Sequence, residues 1–137
     1  MTDYALTGGC LCGGVRFEVT EPPTVAVYCH CTRCQRRTGT AAAISARTAP
    51  GSVRVLQGEE LIRSYQPEDG AAKVFCSACG SALWSENQGV RGVRFGAFDS
   101  DPGIRPAWRQ YVAYAAPWEP IPDDGLPRYD EGKPPTS

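Results

Sequence analysis

The chain has 137 residues, with 14 Lys plus Arg against 15 Asp plus Glu and a net charge of −1. That length fits one domain around one core, and the charge balance argues against a nucleic acid or an acidic membrane held through bulk positive charge. No apolar run approaches the ~20 residues that span a bilayer, and 15 glycines and 12 prolines punctuate the chain too often for long helices.

In chain order, Cys10-Leu11-Cys12 comes first, followed by Gly13-Gly14. Val15-Arg16-Phe17-Glu18-Val19 alternates apolar and polar with period two and predicts a half-buried strand. Glu21-Pro22-Pro23 breaks it, and Thr24 to Tyr28 predicts a second strand that runs into Cys29-His30-Cys31-Thr32-Arg33-Cys34. Gln35 to Thr40 is expected to form a helical turn. Val53 to Leu56 and Leu61 to Tyr65 flank Gln57-Gly58-Glu59-Glu60, which reads as a hairpin. Ala72 to Phe75 leads into Cys76-Ser77-Ala78-Cys79-Gly80 and Ser81 to Trp84 leaves it, a strand, knuckle and strand of the kind that builds small zinc ribbons. Val93 to Phe98 and Tyr111 to Ala115 predict further strands. From Trp118 onward a Pro-rich segment is expected to lie irregularly across the sheet, with residues 130–137 a tail that frays from Lys133. The expected architecture is all-β, mainly antiparallel, with little helix, in a single domain over 1–137.

The seven cysteines fall into two pairs and a triplet, with none isolated. A disulfide framework fits poorly: the count is odd, cysteines one residue apart are badly placed to bond each other, and Met1-Thr2-Asp3 opens no signal segment. Metal-bound thiolates in a reduced, cytoplasmic setting are the better reading. Four plus three suggests one closed, structural zinc site and one open site with room for water or substrate. The division of the cysteines between two metals stays open from the residues alone, because Cys10 and Cys12 could join the triplet. The alternative to an open triplet is a second structural site, completed by another side chain or by a subunit neighbour.

His30 is the only histidine. Between two cysteines on an extended segment it should point away from a metal gripped by both neighbours, so a packed or surface polar role is preferred to acid or base work. A Ser-His-Asp triad would have to use it, and no GxSxG accompanies it; Thr32 stands where a zinc deaminase needs glutamate. Arg33, Arg36 and Arg37 cluster beside the triplet and are candidates to hold the carboxylates of a thiol substrate, or simply a solvated basic loop. Trp84, Trp108 and Trp118 with Tyr28, Tyr111 and Tyr114 could wall a small pocket and read by default as core. Asp99 is expected to cap a turn.

Gly9-Cys10-Leu11-Cys12-Gly13-Gly14-Val15-Arg16-Phe17, Cys29-His30-Cys31-Thr32-Arg33-Cys34 with Gly39, and Phe75-Cys76-Ser77-Ala78-Cys79-Gly80 resemble the glutathione-dependent formaldehyde-activating enzyme family, also called the GFA or CENP-V domain family. Gly96-Ala97-Phe98-Asp99 and Ala116-Pro117-Trp118 are similar to its later blocks, and the resemblance covers about residues 4–129. It implies a β fold of the Mss4-like group and two zinc ions. By position, Cys10, Cys12, Cys76 and Cys79 would hold the structural zinc and Cys29, Cys31 and Cys34 the second, where a thiol adduct binds. Family members often carry a histidine in a Pro-x-x-His-Ile-like block; here Pro106-Ala107-Trp108 is followed by Arg109.

Three thiolates on Zn²⁺ leave the site at −1, which disfavours making hydroxide and favours capture of a soft sulfur. The expected function is therefore a zinc-dependent carbon–sulfur lyase-type enzyme acting on a thiol adduct of a small aldehyde, with glutathione and formaldehyde the pair the resemblance points to. The alternative is a noncatalytic zinc module that binds a protein partner or a thiol. A redox switch, with zinc released on oxidation, comes third.

Overall fold

In β2 (Arg16–Val19), Phe17 and Val19 turn inward while Arg16 and Glu18 stay nearer the surface, as period-two alternation requires. In the computed structural model, which describes residues 4–134, β2 lies between β1 (Leu6–Gly9) and β5 (Val53–Gln57) in a three-stranded antiparallel sheet. A seven-stranded sheet has the order β10 (Pro106–Gln110), β3 (Val25–Cys29), β4 (Ala43–Arg47), β9 (Val90–Arg94), β8 (Ala82–Asn87), β7 (Ala72–Cys76), β6 (Ile62–Tyr65). Its pairs are antiparallel except β10 with β3. The fold is all-β and mainly antiparallel, and among the described residues no helix is long and apolar enough to cross a membrane.

The core lies where the small sheet covers one face of the large one. Phe17 meets Trp84 edge-on at 5.6 Å between ring centroids and Phe98 at 6.3 Å, with Val15, Val19, Ala46, Leu83 and Val93 filling between them. The alternate residues of the same strands face the other way: Ser45 opposite Arg94, Arg47 opposite Gly92, Gly92 opposite Ser85, and Ser85 opposite Lys73. One face of the large sheet is thus apolar core and the other a polar floor.

Several expectations change. The segments around Gln57-Gly58-Glu59-Glu60 do not form a hairpin: β5 pairs with β2 and β6 with β7, so the turn carries the chain from one sheet to the other. Gly58 makes that possible with a φ of 83° and a close approach, since a Cβ there would lie 2.0 Å from the Gly14 carbonyl oxygen. Tyr111 to Ala115 is not a strand; Tyr111 has φ 57°, Val112–Tyr114 is a 3-10 turn, and the strand is the preceding Pro106–Gln110. Phe95–Ala97 is likewise a 3-10 turn after β9. The helix α1 (Thr32–Thr38) starts inside the triplet rather than after it and ends at Gly39, whose N–H donates to the Gln35 carbonyl at 2.8 Å. The Pro-rich segment runs along the outer edge of β10, through Arg109 N–H to the Pro127 carbonyl and Tyr129 N–H to the Arg109 carbonyl, both 2.9 Å. Within the expected frayed tail, Glu131 accepts from the Tyr111 N–H at 2.9 Å and Lys133 lies over Trp108; residues 135–137 fall outside the described residues.

Candidate metal centre and its cavity

Cys10 and Cys12 sit in the loop between β1 and β2, Cys76 ends β7, and Cys79 lies in the turn before β8. Their four sulfurs lie within 4.8 Å of one another, with Cys10 to Cys12 at 3.6 Å and Cys12 to Cys76 at 3.9 Å. Four thiolates around a tetrahedral zinc at ~2.3 Å are about 3.8 Å apart, so this donor set fits such an ion closely. The Val15 N–H donates to Cys10 Sγ at 3.2 Å and the Gly14 N–H to Cys12 Sγ at 3.4 Å, orienting the two sulfurs. The Ser81 hydroxyl and N–H hold the Cys79 thiol down to about 5.

The triplet is assembled by a strand end and a helix start. Cys29 is the last residue of β3, Cys31 caps α1 by accepting from the Cys34 N–H at 3.3 Å, and Cys34 is buried in the first turn. The three sulfurs also lie within 4.8 Å of one another. Contacts from the Cys29 and Cys34 thiols hold Cys31 down to about 2, and the same proximity pushes Cys34 well above its ordinary value. Sulfurs this close keep a single charge among themselves, and only a shared cation lets all three ionise.

The two sets differ in their surroundings. Beside the triplet opens a cavity of about 750 Å³, walled by Tyr111 and Tyr114 and floored by the polar face of the large sheet; no cysteine of the quartet lines it. A smaller cavity of about 170 Å³, against Thr48, Glu86 and Arg91, touches none of the seven cysteines. Three cations of the large cavity, Arg47, Lys73 and Arg94, have no carboxylate partner among the described residues.

Of the three arginines singled out in the sequence, Arg33 lines the cavity rim, where it pairs with Asp69 at 2.5 Å. Arg37 turns to the Val74 and Trp84 carbonyls at 2.5 and 3.1 Å, and burial lowers its pKa to about 10. Arg36 is exposed and outside the cavity lining. Sequence reasoning missed Arg94, Lys73, Ser45 and Ser85. For Ser45 and Arg94 the signal was the alternation of Ala43-Ile44-Ser45-Ala46-Arg47 and Val90-Arg91-Gly92-Val93-Arg94, whose small residues weaken the apolar pattern. Lys73 and Ser85 are the polar positions of the strands on either side of the Cys76–Cys79 knuckle.

His30 does turn away from the sulfurs. It is 3% exposed, and its Nε2 takes a hydrogen bond from Arg109 Nη1 at 3.2 Å. Burial, then the Arg109 and Arg128 charges, push its pKa down, so it stays neutral. Arg109 also donates to Asp124 at 2.9 Å and lies 3.9 Å over the Tyr28 ring, behind β3 and away from the cavity. Asp99, expected at a turn, instead accepts from Thr7 Oγ1 at 2.6 Å and from Arg16, tying β1 and β2 to the turn after β9. Trp84 is core, while Trp118 is 66% exposed.

The family model for the glutathione-dependent formaldehyde-activating enzyme matches residues 5–114. The chain belongs to that family. The matched region of this glutathione-dependent formaldehyde-activating enzyme family member contains all seven cysteines and every sulfur of both clusters. A crystal structure of a Rhodobacter sphaeroides protein is similar at 25% identity and a TM-score of 0.57, over 90% of this chain and 98% of that one. No curated protein matches the chain. The family name points to glutathione, formaldehyde and an enzyme, and the two clusters suit metal ions such as zinc.

Proposed function

We propose that the protein is a zinc-dependent carbon–sulfur lyase-type enzyme that makes or cleaves the thiol adduct of a small aldehyde, with glutathione and formaldehyde its reactants. The observation that carries this reading is the asymmetry of the two sulfur sets: the triplet opens on a cationic cavity and the quartet does not. Cys29, Cys31 and Cys34 would hold a zinc whose remaining position favours a sulfur ligand and lowers its thiol pKa. Cys10, Cys12, Cys76 and Cys79 would hold a second zinc with a structural role. Arg47 and Lys73 offer the cavity positive charge that no carboxylate among the described residues pairs with, which suits the two carboxylates of glutathione. Of the three arginines beside the triplet, Arg33 is placed to meet substrate, in exchange for Asp69, whereas Arg37 anchors the helix to the sheet. All seven cysteines are free, and the reading puts the protein in the reducing cytoplasm.

Native mass spectrometry of protein purified without chelator, with and without glutathione, tests it. Two zinc ions per chain and one glutathione adduct are expected. Cys34→Ser should keep the fold and the quartet zinc, lose the adduct, and abolish acceleration of formaldehyde–glutathione exchange above the spontaneous rate. One zinc and no adduct in the unaltered protein would overturn the enzyme reading in favour of a noncatalytic zinc module.

A further inference from the structure

Ser45 stands opposite Val27 and Arg94 opposite Ser45, so one row of side chains crosses three adjacent strands on the cavity face. Cys29 is two residues beyond Val27 on the same face, a diagonal of about 7–8 Å from Ser45. Arg94 Nη1 donates to Ser45 Oγ and Nη2 to Ser85 Oγ at 3.0 Å, so two hydroxyls fix the guanidinium beside the triplet. Arg94 is 8% exposed, lines the cavity, pairs with no carboxylate among the described residues, and has no hydrogen-bond partner for Nε. The negative charge beside it is that of the thiolate triplet itself, so its unpaired donors are left for a ligand bound at those sulfurs. The carboxylates of glutathione lie many bonds from its sulfur. A guanidinium this near the cysteines meets instead whatever is bonded directly to the substrate sulfur.

We propose that Arg94 is a catalytic residue, donating hydrogen bonds to the aldehyde-derived oxygen of the thiol adduct. This rests on the triplet being the thiol-adduct site. In the forming direction the thiol has given its proton to solvent, and its sulfur bonds the carbonyl carbon. The π pair of the C=O bond moves to oxygen, and that oxygen takes a proton from solvent; cleavage is the reverse. Arg94 keeps its own proton throughout and stabilises the oxyanion, with Ser45 and Ser85 fixing its direction beforehand.

The test titrates cobalt-substituted protein with mercaptoacetate, which carries an anionic oxygen near its sulfur, and with ethanethiol, which carries none, reading the sulfur-to-cobalt absorption. Arg94→Met should reduce the preference for mercaptoacetate by about 10- to 100-fold while ethanethiol affinity holds. Its catalysed formaldehyde–glutathione exchange, followed by magnetisation-transfer NMR, should fall by about 100-fold or more. Arg94→Lys should recover only part of either. An undiminished preference in Arg94→Met overturns the proposal. If Arg94→Met does not fold or load metal, the double variant Ser45→Ala, Ser85→Ala carries the test, and an unchanged preference there overturns it too. A wild-type preference for mercaptoacetate that depends on Arg94, without any accelerated exchange, sinks the enzyme reading and leaves Arg94 as an oxyanion-binding group.

Discussion

The residue between Cys29 and Cys31 shows how backbone direction sorts chemistry. Because side chains alternate along an extended segment, Cys29 and Cys31 face the cavity and His30 faces the Arg109 guanidinium behind the sheet. A neutral imidazole there serves packing, and the arginine it accepts from also holds Asp124 of the Pro-rich segment. Arg109, and then the Leu126 N–H, keep the Asp124 carboxyl below the usual carboxylate range. The folded chain therefore binds fewer protons at this site than the unfolded one. The stability it lends is present above an unfolded value of about 3.9 and is lost as pH falls through the lowered folded value. Asp124→Asn is expected to flatten the acid limb of thermal stability below about pH 4; a limb of unchanged steepness in circular-dichroism melts would show that other carboxylates set it.

Among the elements, the turn at Gly58 matters more than its length suggests. The sequence around it carries the ordinary signs of a hairpin, two apolar runs and a Gly-bearing connection, and local rules have no means of knowing that the flanking strands belong to different sheets. What separates them is burial: Phe17 and Val19 draw Val55 and Val53 into register in the small sheet, while Ile62 pairs with Cys76 in the large one. Gly58→Ala forces a side chain into a left-handed backbone and against the Gly14 carbonyl, two residues from Cys12. It should destabilise the fold by about 2 kcal/mol or more, read from urea unfolding, and weaken metal retention by the quartet. A change under about 0.5 kcal/mol would mean that the turn relaxes. The helix α1 is the converse case. The sequence places its start a few residues late because a cysteine sulfur, absent from the usual list of capping side chains, accepts the Cys34 N–H, one of the free donors of the first turn.

At the scale of the molecule, the quartet spans the two sheets. Cys10 and Cys12 come from the β1–β2 loop of the small sheet, and Cys76 and Cys79 from the β7–β8 knuckle of the large one. A metal bound there would join the two sheets and contribute directly to folding. Cys76→Ser, at a buried position, should cost about 3 kcal/mol or more and make chelator sensitivity of the melting temperature disappear. Cys34→Ser should shift the melting temperature much less, because the triplet lies outside the layer between the sheets. Equal losses for the two variants would show that the triplet also carries folding energy.

The sequence by itself determined the cysteine groups, because thiols two or three positions apart stay together in any arrangement of the rest, while the fold decides which groups meet. It also determined β2, β3 and the β7–β8 knuckle, whose signals are short-range: period-two alternation and a CxxC turn. Tertiary structure alone decided which sulfur set opens on a cavity, that Arg94 rather than Arg36 or Arg37 faces it, and that β1, β4 and β10 are strands at all. Those strands are rich in Gly, Ala, Ser and Arg, so their own sequences carry little apolar pattern. β4 extends because β3 and β9 satisfy its backbone on both sides. The edge strands β1 and β10 rest on β2 and β3, with single bridges, Gly8 to Phe98 and Arg109 to Arg128, on their outer sides. All of these partners are set by residues distant in the chain.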